Sequence, residues 1–266
     1  MNSAPLVSVV IVTYKPNLDY ISQAINSVKK QTYKNIEIII INDKSTDEVE
    51  SYFVELKNNN KNIIYVCNEA KKWVATARNQ WILLSKWDYI AMLDDDDYWN
   101  DKNKIEKQVE YLENNEDFWF VWVYEVVNID QDGKEINRVK CVKPYNDIKQ
   151  SLLRSNQFAQ SGIIIRRESL YKSWIYDTSC FTEDYDLWCR IWKFYKFCNI
   201  DSSISYRIQK NSLSHKNVSK VRVGAFNVFW KYKKFYPNFL KALIIRLWGF
   251  VLPEKIKDSI VKNFKI

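Results

Sequence analysis

The stretch IAMLDDDDYW, from Ile90 to Trp99, decides how the rest of the chain is read. Ile90, Met92 and Leu93 end a short apolar run of the kind that forms a buried strand. The run then breaks into consecutive carboxylates, Asp94, Asp95, Asp96 and Asp97. Carboxylates this close repel one another, and a folded chain tolerates them mainly where a cation neutralises the charge. Oxygen-only ligands favour a hard divalent ion, Mg²⁺ or Mn²⁺, which usually also holds substrate phosphates. A solvated acidic turn is the simpler account of such a run. Its place at the C-terminal end of an apolar strand, where open α/β sheets bind ligands, favours the metal.

Towards the N-terminus the chain alternates strand and helix patterns. VSVVIVTY (Val7–Tyr14) and IEIIIIND (Ile36–Asp43) are apolar without interruption, as strands buried on both faces are. Between them Leu18, Ile21, Ile25 and Val28 recur at helical spacing. Ser45-Thr46-Asp47-Glu48 is a helix start, with Val49, Phe53 and Leu56 as its core stripe. Ile63–Cys67 reads as a third strand, Val74–Leu84 as a helix and Asp88–Leu93 as the strand that delivers the aspartates. This alternation predicts a Rossmann-like, doubly wound, mostly parallel sheet.

Beyond the acidic run, Ile105, Val109 and Leu112 mark a helix. Two strands, Phe118–Ile129 and Glu135–Val142, flank the hairpin turn QDGK. A short strand, Gly162–Ile165, leads to FTEDYDLWCRIW (Phe181–Trp192), where Glu183 and Asp184 open a helix and Leu187 and Ile191 share a face.

A chain of 266 residues can hold one large α/β domain with a proper core, or one domain plus an appendage. The five cysteines are odd in number and lack any CxxC pair, so neither a disulfide framework nor a zinc site is expected. No signal peptide or bilayer-spanning run is present, and the cytoplasm is the expected location. The net charge of +8 is uneven: residues 205–266 carry +12 and the body −4. The division falls at 1–220 for the domain and 221–266 for a basic, aromatic, helical tail. A mildly acidic body argues against nucleic acid as a partner, and the tail suits an anionic surface. In the tail Leu240, Leu243, Ile244 and Leu247 recur at helical spacing among lysines. Two arrangements fit: a helix in the headgroup region of an anionic membrane, or a helix packed on the domain with its basic face in water.

Five segments in register resemble the family 2 glycosyltransferases of the GT-A fold: VSVVIVTYKP, NIEIIIINDKSTDE, ATARNQWILLSKWDYIAMLDDDDYW, FTEDYDLWCRI and YRIQKNSLS. Together they cover roughly residues 6–215. The resemblance implies an inverting, metal-dependent transferase that moves a sugar from a nucleotide-diphosphate donor, UDP being the commonest, to an acceptor hydroxyl. The acceptor it implies is a saccharide or lipid-linked saccharide of cell-surface polysaccharide or glycolipid synthesis; the first of the two tail arrangements would put the enzyme peripherally on the inner face of the cell membrane. It places donor contacts at Tyr14, Asp43, Arg78, Asp94 and Asp95, the metal on Asp96, and the catalytic base at Asp184 with Glu183 beside it. Taken alone, Asp184 could merely suit a helix dipole, Tyr14 could be a packing aromatic, and Asp43 could begin a turn. His215, the only histidine, has no spacing that recommends it, and Gln209 stands where the family often has histidine; both are left out of the site. Rival readings are a nucleotidyltransferase, which would show a glycine-rich basic signature after the first strand, and a non-catalytic assembly protein that keeps the fold.

Glycine is scarce, at 4, and tryptophan abundant, at 11. Trp73, Trp81, Trp87, Trp174 and Trp192 stand where the resemblance implies glycine. Trp87, between a helix and a strand, falls where a left-handed backbone favours the smallest residue. Some bacteria read UGA as glycine, and our hypothesis is that these residues are glycine in the native protein. Peptide mass spectrometry at position 87 tests it, since tryptophan found there ends the idea.

Overall fold

Water-excluding apolar runs build the first half of the sheet. In the computed structural model, which describes residues 4–84, 88–141, 148–149, 151–154, 156, 158–172, 175–209 and 216–251, these runs are four parallel strands. They are β1 (Val7–Thr13), β2 (Ile36–Asn42), β3 (Ile63–Cys67) and β4 (Tyr89–Met92), in the spatial order β3-β2-β1-β4. Val9 pairs with Ile38 on one side and Ala91 on the other, so β1 is the sheet's inner strand. Helices α1 (Leu18–Lys29), α2 (Asp47–Asn58) and α3 (Val74–Leu84) make the crossovers that parallel strands need. Asn17 starts α1 by accepting the backbone N–H groups of Asp19 and Tyr20 on its side chain.

Past β4 the sheet changes direction. β8 (Ile164–Arg166) runs antiparallel to β4 and to β6 (Phe118–Ile129), and β9 (Lys196–Arg207) runs parallel to β6. β5 (Tyr98–Trp99), just after the acidic run, pairs antiparallel with the end of β9. This pairing brings residues 204–205 to the acidic loop. The hairpin forms as expected between β6 and β7 (Glu135–Lys140), and Gly133 supplies its positive φ of 84°. Helices α4 (Lys104–Asn114), α5 (Arg167–Lys172) and α6 (Glu183–Ile191) complete the body. The strand expected at Gly162–Ile165 begins later, because Gln160–Gly162 is a turn of 3₁₀ helix. A side-chain amide, that of Gln108, takes the Gly162 carbonyl at 3.0 Å, and a Cβ at 162 would meet Trp122.

Two further helices follow, α7 (Val218–Tyr232) and α8 (Phe239–Val251). Val228, Phe229, Tyr232, Tyr236 and Ala242 are buried in the same core as the sheet. Gly224 lets α7 approach the residue that precedes α6, since a Cβ there would lie 3.1 Å from Thr182 Oγ1. No described helix is long and apolar enough to cross a membrane.

The chain bends through positive φ at three non-glycine residues in its N-terminal third: Lys15 (52°) after β1, Lys44 (67°) after β2 and Trp73 (71°) before α3. Trp73 therefore has the backbone that favours glycine, and its side chain is 60% exposed. Trp81 lies within α3, and its buried indole N–H has no hydrogen-bond partner among the described residues. Trp192 differs from the expectation. Its backbone is right-handed (φ −67°) and its ring fills the core against Phe197 and Tyr236, so nothing local calls for glycine. Trp87, Trp174 and His215 lie outside the described residues.

Candidate active site

The C-terminal ends of β1, β2 and β4 share one edge, and the acidic loop leaves β4 there. Leu93 still donates to Val10 of β1, at 3.1 Å. One residue later the Asp94 N–H turns to Ser161 Oγ, at 3.1 Å. From this point the aspartates diverge. Asp97 is buried: Oδ2 accepts Ser161 Oγ–H at 2.5 Å and Oδ1 accepts the Arg207 N–H at 2.8 Å. It anchors the loop to β9, leaving Asp94, Asp95 and Asp96 half-buried around the edge. Asp95 accepts Thr13 Oγ1–H at 2.5 Å, and Asp96 accepts the Gln209 side-chain amide at 2.5 Å.

A buried arginine joins this loop to the helix that carries the expected base. Arg78, on α3, donates to Asp94 at 2.8 Å and to Glu183 at 3.3 Å while only 8% exposed. Asp184 follows directly. Its Oδ2 accepts Asn156 Nδ2–H at 2.7 Å and its Oδ1 the Tyr185 N–H at 2.7 Å, so both oxygens are held. The structure thus brings Arg78, Asp94, Glu183 and Asp184 together, with Arg78 and Glu183 105 positions apart in sequence.

Electrostatics make this edge anion-rich and short of compensating charge. Burial, then the charge of Asp96, pushes Asp95 up to about 7. Burial, then Asp94, pushes Asp96 up to about 6, against the lowering hydrogen bond of Gln209. Glu183 rises to about 7 through burial and its neighbour Asp184, with Arg78 opposing. Asp184 is raised too, first by burial, while the Tyr185 N–H, Arg78 and Asn156 pull it back.

Among the described residues no three His, Cys, Asp or Glu side chains converge into a metal cage. The donor set fits a different kind of site. A half-buried Asp96 carboxylate, crowded by like charge and bonded to a neutral amide, suits one hard cation whose remaining ligands are phosphate oxygens and water.

The two remaining expected donor residues sit on neighbouring strand ends. Tyr14 is 41% exposed, with Lys71 Nζ 3.6 Å from its ring centroid and 5.0 Å from that of Trp73. Asp43 is buried, and its carboxylate accepts Asn68 Nδ2–H (2.9 Å) and the N–H groups of Lys72 (2.9 Å) and Trp73 (3.1 Å). In this structure it clamps the loop between β3 and α3. Its own N–H donates to Thr13 O at 2.8 Å, which ties the two strand ends together.

Sequence reasoning missed several residues here. Gln209 had been set aside, yet it is the side chain bonded to Asp96. Arg207 crosses under the loop, donating to Asp96 O, Asp130 O, Gln131 O and Gln23 Oε1 with its guanidinium 4.0 Å from the Tyr20 ring centroid. Both lie in the YRIQ segment, so a signal was present. Tyr206, in the same segment, faces the aspartates: burial, then Asp97 and Asp94, raise its phenol. Ser161 and Asn156 had no sequence signal, because only tertiary packing brings them to the site.

Comparison with known proteins gives the family and the fold. The family model for glycosyl transferase family 2 matches residues 8–175. A glycosyltransferase of Methanocaldococcus jannaschii is 29% identical over 97% of this chain and 93% of its own length. The amylovoran biosynthesis glycosyltransferase AmsB of Erwinia amylovora is 30% identical over 84% of this chain and 75% of its own. The crystal structure of GalNAc-T7 with UDP, GalNAc and Mn²⁺ superposes with a TM-score of 0.64 at 19% identity, covering 86% of this chain and 48% of that one. With a parallel half-sheet, an aspartate loop at its edge and a family match over most of its length, the chain belongs to glycosyl transferase family 2 and has the GT-A fold.

Proposed function

We propose that the protein transfers a sugar, with inversion, from a nucleotide-diphosphate donor (a UDP-sugar first among them) to the hydroxyl of a saccharide or lipid-linked saccharide. The observation that carries this is Arg78, which bridges Asp94 of the aspartate loop and Glu183 at the start of α6. It fixes the donor half and the acceptor half of the site on one buried guanidinium.

Asp184 accepts the acceptor's hydroxyl proton as that oxygen forms its bond to the anomeric carbon. The bond from the anomeric carbon to the diphosphate oxygen breaks, and its electron pair leaves with the nucleoside diphosphate. Asn156 and the Tyr185 N–H orient the Asp184 carboxylate for this step. Glu183, paired with Arg78, keeps α6 in register with the aspartate loop. Tyr14, Asp43 and Asp95 would meet the nucleoside and sugar along the β1–β2–β4 edge. Asp96 would hold Mg²⁺ or Mn²⁺ together with the diphosphate, and the ion would offset the charge that builds on the leaving group.

The amylovoran relative supports a polysaccharide pathway, and the UDP and Mn²⁺ in the GalNAc-T7 structure support the donor and the ion. A thermal-shift screen of nucleotide sugars with Mn²⁺ tests the reading, because a ligand that binds only the folded state raises the melting temperature. A UDP-sugar should shift it only when the metal is present. No shift with any nucleotide sugar would reject the proposal.

A further inference from the structure

From residue 202 to residue 253 the sequence carries ten Lys and Arg and no Asp or Glu. The structure sorts the described part of this segment into two faces. Val228, Phe229, Tyr232 and Tyr236 point into the core, with Ala242 beside them. Facing outward, Leu240 is 69% exposed, Ile244 52% and Leu247 48%. Their spacing along α8 is i, i+4, i+7, which makes one stripe on the side away from Ala242. Trp230 and Phe235 are exposed as well, and so is Phe194 on the adjoining surface.

Lysines stand among these rings. Lys233 Nζ lies 2.9 Å from the Trp230 ring centroid, and Lys193 Nζ lies 3.6 Å from that of Phe235 and 5.3 Å from that of Phe194. Lys193, Phe194 and Phe235 line a groove of about 380 Å³ together with Lys172, Arg190 and Lys231. The last two, with Tyr232, are committed to buried Asp186 of α6, and Lys172 pairs with Glu168. Among the described residues no carboxylate forms an ion pair with Lys193, Lys233 or Lys234.

We infer that this face docks the protein on an anionic lipid bilayer. Leu240, Ile244 and Leu247 enter the boundary between headgroups and acyl chains, and Trp230, Phe194 and Phe235 sit at headgroup level, where aromatic rings concentrate. Lys193, Lys233 and Lys234 reach lipid phosphates while their stems stay against the rings. No described helix is long enough to span, so the segment lies on the membrane. A second copy of the chain is the poorer occupant, because it would bring the same cationic surface against this one. The docking face joins the candidate active site through Gly224 against Thr182 and Lys231 on Asp186, yet it needs nothing from the proposed chemistry.

The test is flotation of the purified full-length chain with vesicles of phosphatidylcholine alone and of phosphatidylcholine mixed with phosphatidylglycerol. The wild type should float with the anionic vesicles at low salt, stay down with the neutral ones, and lose binding as salt rises. L240D/I244D and K193E/K233E/K234E should each bind anionic vesicles about tenfold more weakly or less, at unchanged melting temperature. Wild-type protein that ignores anionic vesicles at low salt overturns the inference without recourse to variants. So would folded variants that float as the wild type does. Dimers dispersed by L240D/I244D, with no flotation, would mark the face as a self-interface and overturn it equally.

Discussion

In the proposed reaction Asp96 and Asp184 divide the chemistry between them, and each has its own signature. Asp96→Ala removes a carboxylate from a repulsive loop, so the protein should stay folded and lose Mn²⁺-dependent donor turnover; turnover equal to wild type would remove Asp96 from the metal site. Asp184→Asn keeps one oxygen, which can accept from the Tyr185 N–H or from Asn156 but not from both, and it cannot take a proton. Transfer should fall by about 10²–10⁴-fold with nucleotide binding retained. Lost donor affinity with normal turnover would make it a binding residue instead. Trp73 poses a different question. Its left-handed backbone costs a bulky side chain about 1–2 kcal/mol, so Trp73→Gly should raise stability in urea by an amount of that order. An unchanged or lower midpoint would show that the indole's contact with Lys71 outweighs the strain. Peptides from the native source that cover position 73 bear on the same hypothesis as those that cover position 87.

Elements with a continuous or periodic apolar pattern were legible in the sequence nearly to the residue. β3, α3 and β6 fall where the pattern put them, because burial on one face or both leaves a chain of that composition few choices. The start of β8 was not legible: Gly162 gives its carbonyl to Gln108, a partner 54 positions away. The site divides in the same way. Asp94–Asp97 and Glu183–Asp184 announce themselves as charge breaking from apolar pattern, whereas Ser161 and Asn156 are defined only by what packs beside them. Gly224 shows how one element governs another. It allows α7 against Thr182 at the start of α6, so Gly224→Val should overpack the contact at a cost of about 1–3 kcal/mol. The displacement acts on the helix bearing Asp184, so transfer should suffer more than donor affinity. Equal losses in both would show a general loss of fold instead.

Across the whole molecule, the fold brings two groups of carboxylates together, one at the sheet edge and one at the start of α6, and buried Arg78 bridges them. Burial raises both acids of α6, and the charge of Asp184 helps to push Glu183 up to about 7, whereas a base works only when it is ionised. The Glu183–Asp184 pair titrates as a unit, so kcat/KM should be highest on the alkaline side and fall as pH drops through the neutral range. A flat profile there would place the essential base elsewhere. Nucleoside diphosphate release from a panel of nucleotide sugars, followed with Mn²⁺, after EDTA, and after the metal is restored, tests metal-dependent glycosyl transfer most directly. At least one donor, a UDP-sugar first, should be consumed with Mn²⁺, spared after EDTA, and consumed again once Mn²⁺ or Mg²⁺ is returned. Turnover that survives EDTA, or a donor that binds and is never consumed in the presence of metal and saccharide acceptors, would contradict it.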